Sequence, residues 1–203
     1  EVGFLGIITK NIQGILFFLM QAKIEPGNLN YVQLSPTLQA TRSNYTRVHK
    51  GKTPLYLEYF NGTKQVRVLL DQLQSEQGSR FLKKRNRNMI VQIGEDEDIN
   101  VPENFCWLTL GQIKSFLQYD NLVNMDTRTV ISGIDFGSYP ADALELYKTM
   151  TTGGKQTREM SLLLSFLEDE HHYHDLDEII SWITKKKSLF YLEVDRIPLR
   201  DVS

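Results

Sequence analysis

Residues 2–21 read VGFLGIITKNIQGILFFLMQ, and this stretch decides the class of fold. Val2, Phe4, Gly6 and Ile8 alternate with Gly3, Leu5, Ile7 and Thr9, and both sets are largely apolar. Such a run predicts a strand buried on both faces. Lys10 to Gly14 has turn composition, and Ile15 to Gln21 is a second apolar strand, so the two predict a hairpin. The run Ile15–Met20 is the longest apolar stretch and is too short to span a bilayer.

Downstream, Glu25-Pro26-Gly27-Asn28 is a turn, since Pro presets φ and Gly supplies φ > 0. Tyr31–Ser35 is a short strand stopped by Pro36. Residues 37–53 are polar and basic without a clear period. Pro54–Phe60 is expected as a strand, Asn61-Gly62 as a turn, and Val66, Val68 and Leu70 as a further strand. Ser75-Glu76-Gln77 is expected to open a helix running through Lys84, with strand resuming over Met89–Ile93 and an acidic turn over Glu95–Asp98. Thr109 and Gln112 form a capping-box pair. Thr127–Ile134 and Arg158–Glu168 read as helices around a Gly- and Pro-containing connection over 137–154. Asp175 with Glu178 caps a last helix, and Tyr191–Pro198 is a closing strand. Strands come first and helices later, so the class is α+β.

The chain has 203 residues, 41% hydrophobic and 24% charged, with a formal net charge of −2. That length suits about one domain. The single cysteine, Cys106, excludes an internal disulfide framework and any zinc site built on two thiolates; between Phe105 and Trp107 it is expected in the core. The charge balance argues against a nucleic-acid or membrane-surface binder. Glu1-Val2-Gly3 is neither an initiator nor a signal peptide, so the chain is expected to be trimmed. A soluble cytoplasmic protein is the expectation.

Two basic segments carry the candidate chemistry. Arg42, Arg47, His49, Lys50 and Lys52 fall together without a carboxylate, and Arg80, Lys83, Lys84, Arg85 and Arg87 follow later. Arg forks interleaved with neutral donors are what a pyrophosphate requires; a solvated surface is the plainer explanation, above all for Lys83 and Lys84. Gln33, Gln39, Gln72, Gln74 and Gln77 form an amide-rich set that needs partners from a polar ligand or from neighbouring strands. His171, His172 and His174 resemble a metal site, but adjacent helix residues point about 100° apart, so an exposed cluster is expected. His49 is the better acid–base group, and Glu76 is either a catalytic carboxylate or a helix N-terminal acid. Gly-rich phosphate loops and nucleophile elbows are absent.

Five stretches are familiar as a set: QAKIEPGNLNYVQLSPTLQATRSNYTRVHKGK (21–52), LQSEQGSRFLKKRNRNMIVQI (73–93), FCWLTLGQI (105–113), NLVNMDTRTV (121–130) and LDEIISWITKKKSLFYLEVDRIPL (176–199). Together they resemble the NDP-hexose 2,3-dehydratases over nearly the whole chain, as about one of the two tandem repeats such enzymes hold. The resemblance implies a Nudix-like mixed sheet flanked by helices, with residues 1–135 as a dTDP-sugar-binding core. Residues 136–203 would be a C-terminal helical segment and closing strand packed on that core as one domain overall. It implies action on a dTDP-4-keto-6-deoxyhexose in deoxysugar and antibiotic biosynthesis, no metal and no cofactor, a homodimer, and a downstream NADPH-dependent 3-ketoreductase. Set beside the resemblance, the chemistry of the side chains places Arg42, Arg85 and Arg87 on the pyrophosphate. Lys23, Gln39, Thr41, Asn44 and Asn88 go to ribose, base or sugar oxygens, and Tyr45, His49 and Glu76 are the acid–base candidates. The alternatives are a non-catalytic nucleotide-sugar-binding repeat and, more remotely, a nucleic-acid binder.

Overall fold

The computed structural model describes residues 2–29, 31–41, 53–135 and 173–189, with isolated helical positions at 145, 162 and 165. The chain divides into two compact units, Glu1–Phe136 and Gly137–Ser203. In the first unit the strands are β1 (Val2–Ile12), β2 (Ile15–Ile24), β3 (Val32–Ser35), β4 (Leu38–Ala40), β5 (Arg67–Ser75), β6 (Arg85–Ile93) and β7 (Phe105–Thr109). Its helices are α1 (Leu110–Phe116) and α2 (Met125–Ser132). In the second unit α3 (Leu176–Leu189) is described. No described helix is long and apolar enough to cross a membrane.

The sheet is mixed and runs β3-β2-β1-β6-β5, with β4 on β1 and β7 on β2. β1 and β6 are parallel and the other pairings antiparallel. β1 sits centrally, and Ile7, Ile8 and Thr9 are fully buried, which is why both of its alternating sets are apolar. One sheet face packs Ile8, Leu19, Leu38, Met89 and Val91 against Tyr56, Leu57, Tyr59 and Phe60. The opposite face packs Leu5, Ile7, Met20, Leu70 and Ile90 against Ile113 of α1 and Val130 of α2. The result is an α+β fold, as the residue pattern predicts.

β1 and β2 stop pairing at Ile8 opposite Leu19. Beyond that point β4 takes the edge of β1 and β3 takes the edge of β2. Thr37, between β3 and β4, fills the gap. Its hydroxyl accepts the Ile8 N–H at 2.9 Å and donates to the Leu19 carbonyl. A buried N–H and a buried C=O are thus satisfied where the ladder opens. The same device sets Gln39 opposite Leu5 on β1.

Several local expectations are corrected. Residues 75–84 are no helix: β5 continues to Ser75, a turn follows, and the Glu76 N–H donates to the Lys84 carbonyl at 2.9 Å. β6 begins at Arg85 rather than Met89. Residues 54–60 form a turn with a 3₁₀ segment, Leu57–Tyr59, entered through Tyr56 at φ 65°; their aromatic rings cap the sheet instead of joining it. The strands β4 and β7 were not foreseen. Cys106 is exposed, because β7 alternates and turns Phe105 inward instead. The capping box at Thr109 is present. Asp175 accepts the Glu178 N–H at 2.7 Å ahead of α3. The expected helix over 158–168 and strand over 191–198 lie outside the described residues, save the helical positions 162 and 165.

Candidate active site

Register decides which polar side chains meet. Gly3 and Leu5 of β1 lie opposite Asn86 and Asn88 of β6, and Gln74 and Gln72 of β5 lie opposite the same two asparagines. Cross-strand partners share a face, and successive residues along a strand point to opposite faces. Leu5, Gln74, Asn86 and Asn88 therefore share the face covered by α2, and Arg85 and Arg87 belong to the other. A cleft of about 180 Å³ opens on the first face, lined by Gln74, Glu76, Asn86, Asn88, Asp126 and Thr129 among others.

β3 stitches α2 to this position. The Leu34 N–H donates to the Leu122 carbonyl at 2.8 Å, and the Asn124 N–H to the Leu34 carbonyl at 3.0 Å. Asn124 then caps α2, accepting the Thr127 N–H at 2.8 Å. Asp126 follows in the first turn and enters the cleft. Gln39 Nε2 donates to Asp126 Oδ2. Gln39 Oε1 accepts from Lys23 Nζ at 3.0 Å and from Asn124 Nδ2 at 3.4 Å. Lys23 also pairs with Glu25 at 2.8 Å. Burial raises the Asp126 carboxyl above the ordinary carboxylate range; the Gln39 hydrogen bond opposes this, the charges of Glu76 and Glu25 add to it, and Lys23 opposes it.

Glu76, at the end of β5, has a different environment. Asn86 Nδ2 donates to its Oε2 at 2.6 Å, Lys84 Nζ lies 3.8 Å from the same oxygen, and the Gln77 N–H donates to Oε1 at 3.3 Å. Asn88, 2% exposed, donates to Gln74 Oε1 at 2.6 Å, and its own Oδ1 is buried without a partner. A buried carbonyl left unpaired costs about 1–3 kcal/mol. Among the described residues no group of three or more His, Cys, Asp or Glu could hold a metal ion.

The family model for NDP-hexose 2,3-dehydratases matches residues 1–134, which include every strand and helix around this cleft. The chain belongs to the NDP-hexose 2,3-dehydratase family. A relative from Saccharopolyspora spinosa, named dTDP-4-dehydro-6-deoxy-alpha-D-glucopyranose 2,3-dehydratase, is 46% identical over 205 residues, covering 100% of this chain and 40% of the relative. A relative of the same name from Amycolatopsis orientalis is 43% identical over 202 residues, covering 100% of this chain and 36% of its own. This chain thus spans well under half the length of those dehydratases. Solved structures similar to part of it include a C. elegans Ap4A hydrolase (TM-score 0.38, 11% identity, 65% of this chain and 93% of that one). Another is a Nudix hydrolase from M. smegmatis (TM-score 0.38, 12% identity, 64% and 83%). At these scores the likenesses bear on neither site nor chemistry.

Of the residues singled out from the sequence of this dehydratase-family chain, Glu76 and Asn88 line the cleft, and Lys23 and Gln39 stand behind it through Asp126. Thr41 is exposed just past β4. Arg42, Asn44, Tyr45 and His49 lie outside the described residues. Arg85 and Arg87 are not brought to the cleft. Arg85 is exposed, and Arg87 forms a two-point ion pair with Asp71, its Nε donating to Oδ1 at 2.6 Å. That pair holds the Asp71 carboxyl below the ordinary range, the hydrogen bond from Arg87 outweighing burial. Sequence reasoning read Asn86 only as a neutral donor among the basic residues, and it missed Asp126. The signal for Asp126 was Asn124, a good N-cap residue placed just before Met125.

Proposed function

We propose that this chain carries out the 2,3-dehydration of a dTDP-4-keto-6-deoxyhexose, the sugar bound in the cleft between β6 and the start of α2. The observation that supports it most is the convergence of two carboxylates and a buried, unpaired amide carbonyl on one sheet face of a family chain. The reaction asks for little more. The C4 ketone acidifies the C3 proton and the C2 hydroxyl is β to it. A base removes C3–H, the hydroxyl departs as water, and the resulting enol tautomerises to a 3,4-diketone. The electron sink belongs to the substrate. Glu76, oriented by Asn86 and Lys84, is the base in this reading, and a donor from the sugar relieves Asn88 Oδ1. Binding energy from the dTDP portion positions the ring, with Arg42 and its neighbours as pyrophosphate ligands and Tyr45 and His49 as further acid–base groups. The protein acts as a homodimer in the cytoplasm, and an NADPH-dependent 3-ketoreductase consumes its product.

The share of length matched in the relatives supports a second reading, a non-catalytic repeat that binds the nucleotide sugar. One experiment separates the two. The chain is incubated with dTDP-4-keto-6-deoxyglucose and an NADPH-dependent 3-ketoreductase as a trap, and the 2-deoxy product is sought by mass spectrometry. Product formation supports the dehydratase; dTDP binding without product supports the second reading.

A further inference from the structure

We infer that Asp126 is the group that delivers a proton to the departing C2 hydroxyl, and that Gln39 is the positioning residue that presents it. The inference rests on the dehydratase reading above. Its geometric basis is the chain Lys23–Gln39–Asp126. Lysine can only donate, and so can the Asn124 amide nitrogen that also reaches Gln39 Oε1. The carbonyl of Gln39 must therefore face Lys23, and its NH₂ must face Asp126. Asp126 Oδ2 accepts that neutral donor, which leaves Oδ1 to carry a proton. Glu76 lines the same cleft from the opposite element, β5, held by Asn86 and Lys84. Two carboxyl groups in unlike environments on one cavity are the pattern that divides acid from base. The groups acting on Asp126 are Glu76 from β5, Glu25 and Lys23 from the β2 side, and Gln39 from β4; burial, Glu76 and Glu25 favour its neutral form, against Gln39 and Lys23.

The protons balance over a cycle. Glu76 takes the C3 proton as the C2=C3 bond forms. The C2–O bond breaks, and the leaving hydroxyl takes the Asp126 proton and departs as water. Glu76 then returns its proton to C2, and the enol O–H proton at C3 passes to Asp126. Both carboxyl groups end as they began, and the substrate has lost one water.

The test compares two substrates, dTDP-4-keto-6-deoxyglucose and its 2-deoxy-2-fluoro analogue, because fluoride leaves without a proton. General acid catalysis is worth roughly 10²–10⁴-fold, so Asp126→Asn should lose at least about 10²-fold on the hydroxyl substrate and stay within about threefold on the fluoro one. Equal losses on both would overturn the role. In Gln39→Ala the lost donor, which favoured the carboxylate, should move the alkaline limb of the rate profile to higher pH; a lower rate with an unmoved limb would leave Gln39 a merely structural residue. If the wild-type chain converts neither substrate, the dehydratase reading of this chain fails by itself. The C2 role of Asp126 fails with it, and the part of the inference that stands apart from turnover, a proton held at Asp126, is then decided by carbon NMR titration of ¹³Cγ-labelled aspartate, with Asp126→Asn assigning the signal. Titration above the ordinary aspartate range supports a proton held at Asp126, and titration within or below that range overturns it.

Discussion

Arg87→Ala separates the two faces of β6. In the fold Arg87 reaches Asp71 through two hydrogen bonds, with side chains 41% and 33% exposed. Exposed ion pairs contribute about 0.2–1 kcal/mol, and the two-point guanidinium geometry favours the upper part of that range. With a urea dependence of roughly 2 kcal/mol per molar, the unfolding midpoint should fall by about 0.1–0.5 M, followed through tryptophan fluorescence. The effect should depend on pH in a definite direction. Arg87 lowers the Asp71 carboxyl, so the pair stabilises the fold above the ordinary carboxylate range and loses this as pH falls through the depressed value. The gap between wild type and variant should therefore close on acidification. Binding of dTDP, measured by calorimetry, should change by less than about threefold. A direct phosphate contact would contribute about 1.5–3 kcal/mol, or roughly 10- to 150-fold in Kd. A loss of that size in Arg87→Ala would refute the assignment of the site to the amide face.

Three further substitutions test the framework. In Gly6→Ala the new methyl would lie 2.3–2.6 Å from ring carbons of buried Phe60, so a loss of about 1–3 kcal/mol is expected from urea unfolding; an unchanged midpoint would move Phe60 off β1. Thr109→Ala removes the hydroxyl that accepts the Gln112 N–H at 3.2 Å and should cost about 0.5–2 kcal/mol, read in the same assay. Burial raises the Asp126 carboxyl, so folding loses stability as pH rises from the ordinary carboxylate range through the raised value. Asp126→Asn should therefore melt higher than wild type at neutral pH, with the advantage vanishing in acid; a lower melting temperature at neutral pH would show that the ionised form is stabilising.

The central hairpin was legible because β1 and β2 lie where no alternation of polarity is needed. Both faces of β1 are covered, so the run of apolar residues is itself the signal. Caps were legible for a related reason: Thr109–Gln112 and Asp175–Glu178 satisfy free N–H groups by local bonds that need no tertiary partner. Tertiary context supplied what was missed. β4 is three residues long and exists because Thr37 lets the chain cross from β2 to β1. The aromatic run at 54–60 has the composition of a strand, yet Tyr56 takes a left-handed conformation and its hydroxyl donates to the Asn100 carbonyl at 2.5 Å. Ser75-Glu76-Gln77 has the look of a helix start, but the turn over 78–83 closes a hairpin whose backbone bonds go to the partner strand.

That last misreading hid the division of the site. Arg85-Asn86-Arg87-Asn88 alternates with a period of two, and in a strand such a repeat places its cations on one face and its amides on the other. Placed at the end of a helix, the same four residues form a single basic patch with neutral donors, the arrangement that suggested a pyrophosphate. The strand pairs Asn86 with Glu76 and Asn88 with Gln74 on one face and Arg87 with Asp71 on the other. Asp126 was missed through the same kind of boundary. A helix begun at Thr127 leaves it in a loop, whereas a helix capped by Asn124 puts it in the first turn, facing the asparagines of β6. The identity of the site residues was thus carried by where two elements begin, a matter of two residues in α2 and four in β6.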